Sequence, residues 1–541
     1  MKSFTVYLDR WRPRPDLSLS PVRPHGASCT AAEALGADRP GGHPRHDAAH
    51  AWVVLMAGAT VFPFALLGRR SPWSLAPTLV ALALGSRRRD RAVPGGEIHG
   101  YFIAMAAPQL HERPGDEGQE PTAMAPRRPA FQVMAKPSGS VCNLDCDYCY
   151  FLSKEELYPG SGFRMPEAVH EAYVEQLLAA RGDDAEVTFI FQGGEPLLMG
   201  VDFFRHTLEL QERFRRPGQQ ILNSVQTNGT LIDDSWAELF GEHDFLVGVS
   251  IDGPSEMHDQ YRRDKGGKAT FDRVVRGIGV LKQHDVAWNA MTTVNAANGD
   301  HGREVYRFLR DDLGASHIQL IPVVERVPAE HLQIAELGWG RRNADRTLYR
   351  QHGDAVTRRS VNAEQFGAFM IAVFDEWARY DVGAVFVPNF DTALAHWLGM
   401  HQVGSCVHAE TCGTEIALEH TGDVYSCDHY VEPGYLLGNI SEGRTLLELV
   451  ASPQQRAFGQ AKRDTLPGFC RRCDVRFACH GGCPKDRFIS TPDGEPGLHY
   501  LCAGYQRFFR HIDAPMRVLA GLVRSGGDPA ALRDWYTDRT T

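Results

Sequence analysis

Twelve cysteines in 541 residues are distributed so unevenly that they constrain the fold before any other feature does. Cys29 stands alone, Cys142, Cys146 and Cys149 fall close together, and eight more crowd between Cys406 and Cys502. Even frameworks of cysteines in short secreted chains signal disulfides, whereas tight local spacings in a long chain signal metal sites. Met1 to Pro21 carries charges and prolines and lacks an apolar core, so no secretory signal is read there. Thiolates that must stay reduced then imply a cytoplasmic protein. The length predicts two or three domains. With 57 Lys and Arg against 67 Asp and Glu, the net charge is -10 and no sustained basic stripe emerges, which argues against nucleic acid as a partner.

Residues 1–125 are rich in Arg, Pro, Ala and Gly, with apolar runs at Ala51 to Gly68 and Pro72 to Gly85. A bilayer span needs about 20 apolar residues, and the first run contains Gly58 and Pro63. The membrane hairpin therefore ranks behind two other readings, a poorly ordered extension or translation starting downstream at Met124. After Lys136 the chain alternates β-branched runs with helical periodicity, the pattern of βα units and a largely parallel sheet. A helix is expected from Met165-Pro166 to about Gly182, with Val169, Tyr173, Val174, Leu177 and Leu178 as its apolar stripe. Strands are expected at Val187 to Phe191, Ile221 to Thr227, Phe245 to Ile251, Ala287 to Val294 and His317 to Ile321. Helices are expected at Phe271 to Leu281 and Ala363 to Arg379, and the Arg-rich stretch from Glu325 to Val361 reads as a surface insertion.

Ligand-binding groups gather at the carboxyl ends of parallel strands. There the sequence places Gln192-Gly193-Gly194-Glu195-Pro196, Thr227-Asn228-Gly229 and Ser250-Ile251-Asp252-Gly253. Cys142, Cys146 and Cys149 form a C-x3-C-x2-C loop. Three thiolates are one short of a closed zinc site, and the nearest downstream histidine is His170. A [4Fe-4S] cluster on three cysteines instead leaves one iron open. The later cysteines read C-x5-C-x14-C at Cys406, Cys412 and Cys427, then C-x2-C-x5-C-x3-C at Cys470, Cys473, Cys479 and Cys483, with Cys502 last. Eight thiolates suit two four-cysteine sites, and spacing alone leaves zinc and iron-sulfur clusters both open.

Taken together, the first loop and the following Gly-Gly-Glu-Pro resemble the radical S-adenosylmethionine (SAM) family, and the later cysteines are similar to the SPASM domain. His317 to Arg326, Gly422 to His429 and Cys483 to Phe488 look like anaerobic sulfatase-maturing enzymes in particular, over about Phe131 to His511. The resemblance implies an α/β fold, a partial (β/α)6 radical SAM barrel followed by a small cysteine-rich SPASM domain with two auxiliary clusters. Its boundaries fall at 126–400 and 401–515, after the 1–125 extension and before a helical tail at 516–541. It implies three [4Fe-4S] clusters and S-adenosylmethionine. The first cluster takes Cys142, Cys146 and Cys149. One auxiliary cluster takes Cys406, Cys412, Cys427 and Cys483, and the other takes Cys470, Cys473, Cys479 and Cys502. Tyr148, Gly193, Gly194, Glu195, Asn228, Ser250, Arg262 and Val324 match cofactor-contacting positions, with Glu195 accepting from the cofactor ammonium.

The implied reaction oxidises a Cys or Ser of a sulfatase to Cα-formylglycine, with a flavodoxin or ferredoxin as reductant. Asp428, next to Cys427, matches the base, and burial is expected to raise its pKa. Gln192 would face the peptide. Cys149 is followed by Tyr150-Phe151 where the family carries an aromatic and then tyrosine. The rival within the class is a SPASM maturase of a ribosomally made peptide; from other classes come a zinc-stabilised scaffold and a simple electron carrier.

Overall fold

The computed structural model describes residues 131–182, 185–400 and 404–540. The readings made for residues 1–125, and Cys29, lie outside them. Six strands run parallel in chain order: β1 (Gln132–Lys136), β2 (Glu186–Phe191), β3 (Gln220–Thr227), β4 (Leu246–Ser250), β5 (Trp288–Val294) and β6 (Ile318–Pro322). Sequential parallel neighbours need a crossover after each strand. Helices α1 (Glu167–Ala180), α2 (Val201–Phe214), α3 (Asp234–Glu242), α4 (Phe271–Gln283) and α5 (Gly302–Arg307) supply the helical parts of these crossovers.

Strand alternation decides which residues meet those helices. In the cross-strand register Ala135 pairs with Phe191, Phe191 with Val225, Val225 with Val247 and Val247 with Trp288, and all five are buried. The helix α1 lays Val169, Tyr173, Val174, Leu177 and Leu178 on that side, and Tyr173 meets Phe189 edge-on at 5.5 Å. Each such side chain contributes about 1.5–3 kcal/mol. The helix starts after Pro166, whose fixed φ suits a first turn, and stops at Ala180 just before Arg181-Gly182. The opposite parity includes Gln226 and Gly248, which pair with each other, and Asn289, and faces away from those helices.

The cysteine-rich region extends the same sheet. After β7 (Arg326–Val327) and β8 (Ala355–Val356) pair with each other, β9 (Glu415–Glu419) runs parallel to β1 on its free edge. Next come β10 (Asp423–Tyr425) and β11 (Leu436–Asn439), both antiparallel, completing the order β11-β10-β9-β1-β2-β3-β4-β5-β6. A separate hairpin joins β12 (Arg487–Ser490) to β13 (Pro496–His499).

The helix α6 (Ala363–Tyr380) opens with a capping box of Asn362 and Gln365, and α7 (Pro388–Trp397) follows it. The long α8 (Cys502–Ser525) packs on α6 through two glycines. A Cβ on Gly504 would lie 2.1 Å from the Ala363 carbonyl oxygen, and one on Gly367 would lie 2.8 Å from Gly504 Cα. This contact fixes the end of α8 that carries Cys502. The helix runs through residue 515 without a break before the short α9 (Leu532–Thr540). Among the described residues no helix is long and apolar enough to cross a membrane.

The segment Glu325 to Val361 is not the surface insertion that its polarity suggests. Val327, Ala335, Trp339 and Tyr349 form a buried cluster there. Arg359 makes a bidentate pair with the buried Glu325, at 2.9 and 3.1 Å, and Glu325 also accepts from Trp339 Nε1 at 2.5 Å and Thr357 at 2.7 Å. Polar composition misleads here because the charges are satisfied internally.

Candidate active site

The loop after β1 is shaped by backbone bonds to its neighbours. Gly194 N–H donates to the Gly139 carbonyl at 2.8 Å and Glu195 N–H to the Val141 carbonyl at 2.9 Å, while Asp145 and Asp147 N–H reach the Arg263 and Tyr261 carbonyls. A Cβ on Gly194 would lie 2.0 Å from the Val141 oxygen, and Gly193 has φ +131°. The two glycines are thus required first by the cysteine loop itself. On the other side Arg342 clamps the loop. Its backbone N–H and Nε donate to Asp145 Oδ2 at 3.1 Å, and its guanidinium reaches Asp147 Oδ1 at 2.6 Å.

Beneath the loop lies a buried network. Tyr148 Oη donates to Asp252 Oδ2 at 2.5 Å, Arg262 Nε lies 2.9 Å from the same oxygen, and Thr293 Oγ1 is 2.8 Å from Asp252 Oδ1. Burial pushes the Asp252 carboxyl up, but the Arg262 guanidinium outweighs it and holds the group below the usual carboxylate range. Asn228 Nδ2 donates to Asn143 Oδ1 at 2.8 Å and lies 3.6 Å from the Cys142 sulfur. Ser250 accepts from Gln226 at 3.1 Å. Glu195 is fully buried and accepts from Thr227 Oγ1, Leu197 N–H and Asn228 N–H at 2.7 to 3.1 Å. A carboxylate has about four lone-pair directions, so one is left for a ligand. Burial raises its pKa to about 7. Gln192 Nε2 is buried and has no partner among the described residues, and Val324 is buried beyond the end of β6.

The thiols sort themselves into three groups. Cys142 feels Cys146 and Cys149. Cys406 feels Cys483 and Cys412, and Cys427 feels Cys406 and Cys483. Cys502 feels Cys479, Cys470 and Cys473. These thiol–thiol interactions stay within sets of three, four and four, although Glu195 acts more strongly on Cys142 and Glu415 more strongly on Cys406. Among the described residues no three His, Cys, Asp or Glu side chains converge tightly enough to hold a single ion. Burial is the first cause of raised thiol pKa values throughout, reaching about 12 at Cys146, Cys479 and Cys502 and about 11 at Cys483. Iron would have to displace those protons, so binding releases acid.

Residues 137–309 match the radical SAM superfamily, and residues 406–474 match the SPASM iron-sulfur cluster-binding domain. A serine-type anaerobic sulfatase-maturating enzyme of Bacteroides thetaiotaomicron is 43% identical over 72% of this chain and 91% of its own. This chain belongs to the anaerobic sulfatase-maturating enzymes. A cysteine-type relative from Clostridium perfringens is 32% identical over 71% of this chain and 96% of its own. The solved structure "Native anSMEcpe with bound AdoMet and Cp18Cys peptide" is similar over 73% of this chain and 100% of that one, with 30% identity and a TM-score of 0.62.

In this maturating enzyme Asp428 begins a short 3-10 turn directly after Cys427 and pairs through Oδ1 with the Lys136 ammonium. The expectation of a raised pKa is corrected. Burial pushes the Asp428 carboxyl up, but Lys136 overrides it and the group lies below its ordinary value. Phe151 offers its ring face to the same ammonium, 4.1 Å from the centroid. The hydroxyl one position earlier, on Tyr150, lies 2.9 Å from His429 Nδ1. Asp252, Thr293, Lys136 and Arg342 were not singled out from the sequence. Asp252 had a signal, its place at a strand end; Arg342 had none, since it reaches a loop 197 positions away.

Proposed function

We propose that this chain oxidises a serine or cysteine of a sulfatase polypeptide to Cα-formylglycine, with serine the preferred target. The division of eleven thiols into one set of three and two sets of four supports this most directly, because only a set of three leaves an iron open. Serine is favoured because the serine-type relative shares 43% identity against 32% for the cysteine-type one. We assign Cys142, Cys146 and Cys149 to a first [4Fe-4S] cluster, Cys406, Cys412, Cys427 and Cys483 to a second, and Cys470, Cys473, Cys479 and Cys502 to a third. When bound, S-adenosylmethionine on the first cluster supplies a 5′-deoxyadenosyl radical, and the other clusters supply a sink for one electron.

The chain's own residues then do the following. Gly193, Gly194 and the last accepting direction of Glu195 receive the methionyl end, and Tyr148, Asn228, Ser250, Arg262 and Val324 shape the rest of the pocket. The Gln192 amide nitrogen, which has no partner among the described residues, would face the peptide. Asp428 takes the hydroxyl or thiol proton of the target after hydrogen has left Cβ. A carboxylate of low pKa serves when the proton leaves together with the electron, because the product is then a neutral carbonyl and not a radical anion. A flavodoxin or ferredoxin is the reductant this chemistry needs.

The test is anaerobic reconstitution, then incubation with S-adenosylmethionine, a strong reductant and a sulfatase-motif peptide in Ser and Cys versions, read by mass spectrometry. The expected result is loss of two hydrogens from the Ser peptide alongside 5′-deoxyadenosine. Nucleoside release with both peptides unchanged would overturn the substrate assignment, and iron for a single cluster would overturn the cluster count.

A further inference from the structure

Lys136 is a buried lysine at the carboxyl end of β1 that the reaction as written does not use. An ammonium in the interior costs several kcal/mol unless it is paired, and among the described residues this one has a single carboxylate in contact, Asp428 Oδ1. Phe151 supports the cation with its ring face at 4.1 Å and brings no acceptor to compete. The neighbouring charges are committed elsewhere. Lys154 donates to the Tyr349 carbonyl at 2.7 Å, Glu419 lies 3.2 Å from His420 Nδ1, and His429 Nδ1 meets Tyr150. Among the described residues no hydrogen bond engages Asp428 Oδ2.

The position of Lys136 in the sheet adds to this. Its backbone is held between β2 and β9, and in register it stands beside Glu419. Its Cβ also lies 3.1 Å from where a Cβ on Gly193 would be. The same rigid strand end therefore touches the glycine turn, begins the loop that leads to Cys142, and holds the carboxylate beside Cys427.

We propose that Lys136 is a positioning residue: it pins Asp428 through Oδ1 and leaves Oδ2 aimed at the target side chain, tying the base to the strand that carries the first cysteine loop. This rests on Asp428 being the base. Misplacement of a reacting group by about 1 Å costs on the order of 100-fold, so Lys136 acts on turnover and leaves cofactor cleavage and peptide binding alone.

The test uses the reconstituted holoenzyme with the Ser peptide and compares Lys136→Met, Lys136→Arg, Asp428→Asn and the double variant Lys136→Met/Asp428→Asn. Lys136→Met is expected to lower kcat for aldehyde about 10- to 100-fold at unchanged KM, with 5′-deoxyadenosine still released, which also shows that the variant folds and holds its first cluster. Lys136→Arg restores part of the loss. In the Asp428→Asn background Lys136→Met has no further effect. The EPR signal of the reduced cluster assigned to Cys427 shifts in Lys136→Met, because the adjacent carboxylate is released. Wild-type aldehyde formation by Lys136→Met, beside a strongly impaired Asp428→Asn whose residual turnover is still measurable, would overturn the proposal alone. A rise in KM at constant kcat, or an equal loss in the Asp428→Asn background, would place Lys136 elsewhere in the site. Wild-type turnover by Asp428→Asn would remove the base assignment itself.

Discussion

Between Phe131 and Pro322 the helix-covered face of the strands is mostly aliphatic or aromatic, with Asn223, Thr227 and Thr292 as its buried polar members. Between Cys406 and Cys502 the strands are three to five residues long, and the interior mixes thiols with Lys462, Lys485, Asp486, His408 and His499. Lys462, for example, donates to the Cys406 and Val407 carbonyls at 2.6 and 2.8 Å instead of meeting a carboxylate. The first region has enough apolar surface to fold on its own terms. The second buries polar groups around protonated thiols that iron would deprotonate and tie together, so its stability is expected to depend on metal.

The largest expected effect separates the two regions chemically. Cys146→Ala should abolish both 5′-deoxyadenosine and aldehyde, whereas Cys479→Ala should retain nucleoside release and lose aldehyde; chromatography of a single reaction measures both. Equal loss of nucleoside in the two variants would break the comparison.

Iron removal by anaerobic chelation should separate them physically. Amide exchange is expected to accelerate by several orders of magnitude in residues 406–502 while β2 to β5 stay protected. Uniform protection would mean that the cysteine-rich region stands without metal.

Arg359→Met tests the buried ion pair of the segment that lies between the two in sequence. Removing one partner of the Glu325 pair leaves an uncompensated charge and should cost about 3–5 kcal/mol in chemical denaturation. Its Arg359→Lys counterpart should recover only part of that, because the bidentate geometry is lost.

The smallest effect is pH dependence of the half-barrel. Burial lowers the pKa of His258 and His170 to about 4. A group depressed below its unfolded value, about 6.5, stabilises the fold above that value, and the contribution is lost as pH falls toward 4. The urea midpoint should therefore decline from pH 6.5 to 4, and His258→Asn should flatten the decline. A midpoint independent of pH in that window would remove these two histidines from the account.

Much of the half-barrel was legible because its two periodicities are local. The strand expected at Ile221 to Thr227 is found at Gln220–Thr227, and the helix expected at Phe271 to Leu281 at Phe271–Gln283. What was misread is the segment after Glu325, where Arg residues signalled solvent but Arg359 and Arg342 point inward to Glu325 and Asp145. The Asp428 pKa was misjudged for a related reason. Adjacency to Cys427 is visible in the chain, while the ammonium that reverses the effect of burial comes from a strand 292 positions earlier.

By itself the sequence determined the donor chemistry: three thiols in one short loop, eight in another region, and glycines beside a glutamate at a strand end. Those are local facts, set by spacing along a chain of fixed geometry. Only the tertiary structure decided that β9 would pair with β1, bringing the turn that follows Cys427 to the Lys136 side chain. The reason is physical. An ion pair acts through a few ångströms of space and is blind to sequence separation, so no pattern in the chain announces it.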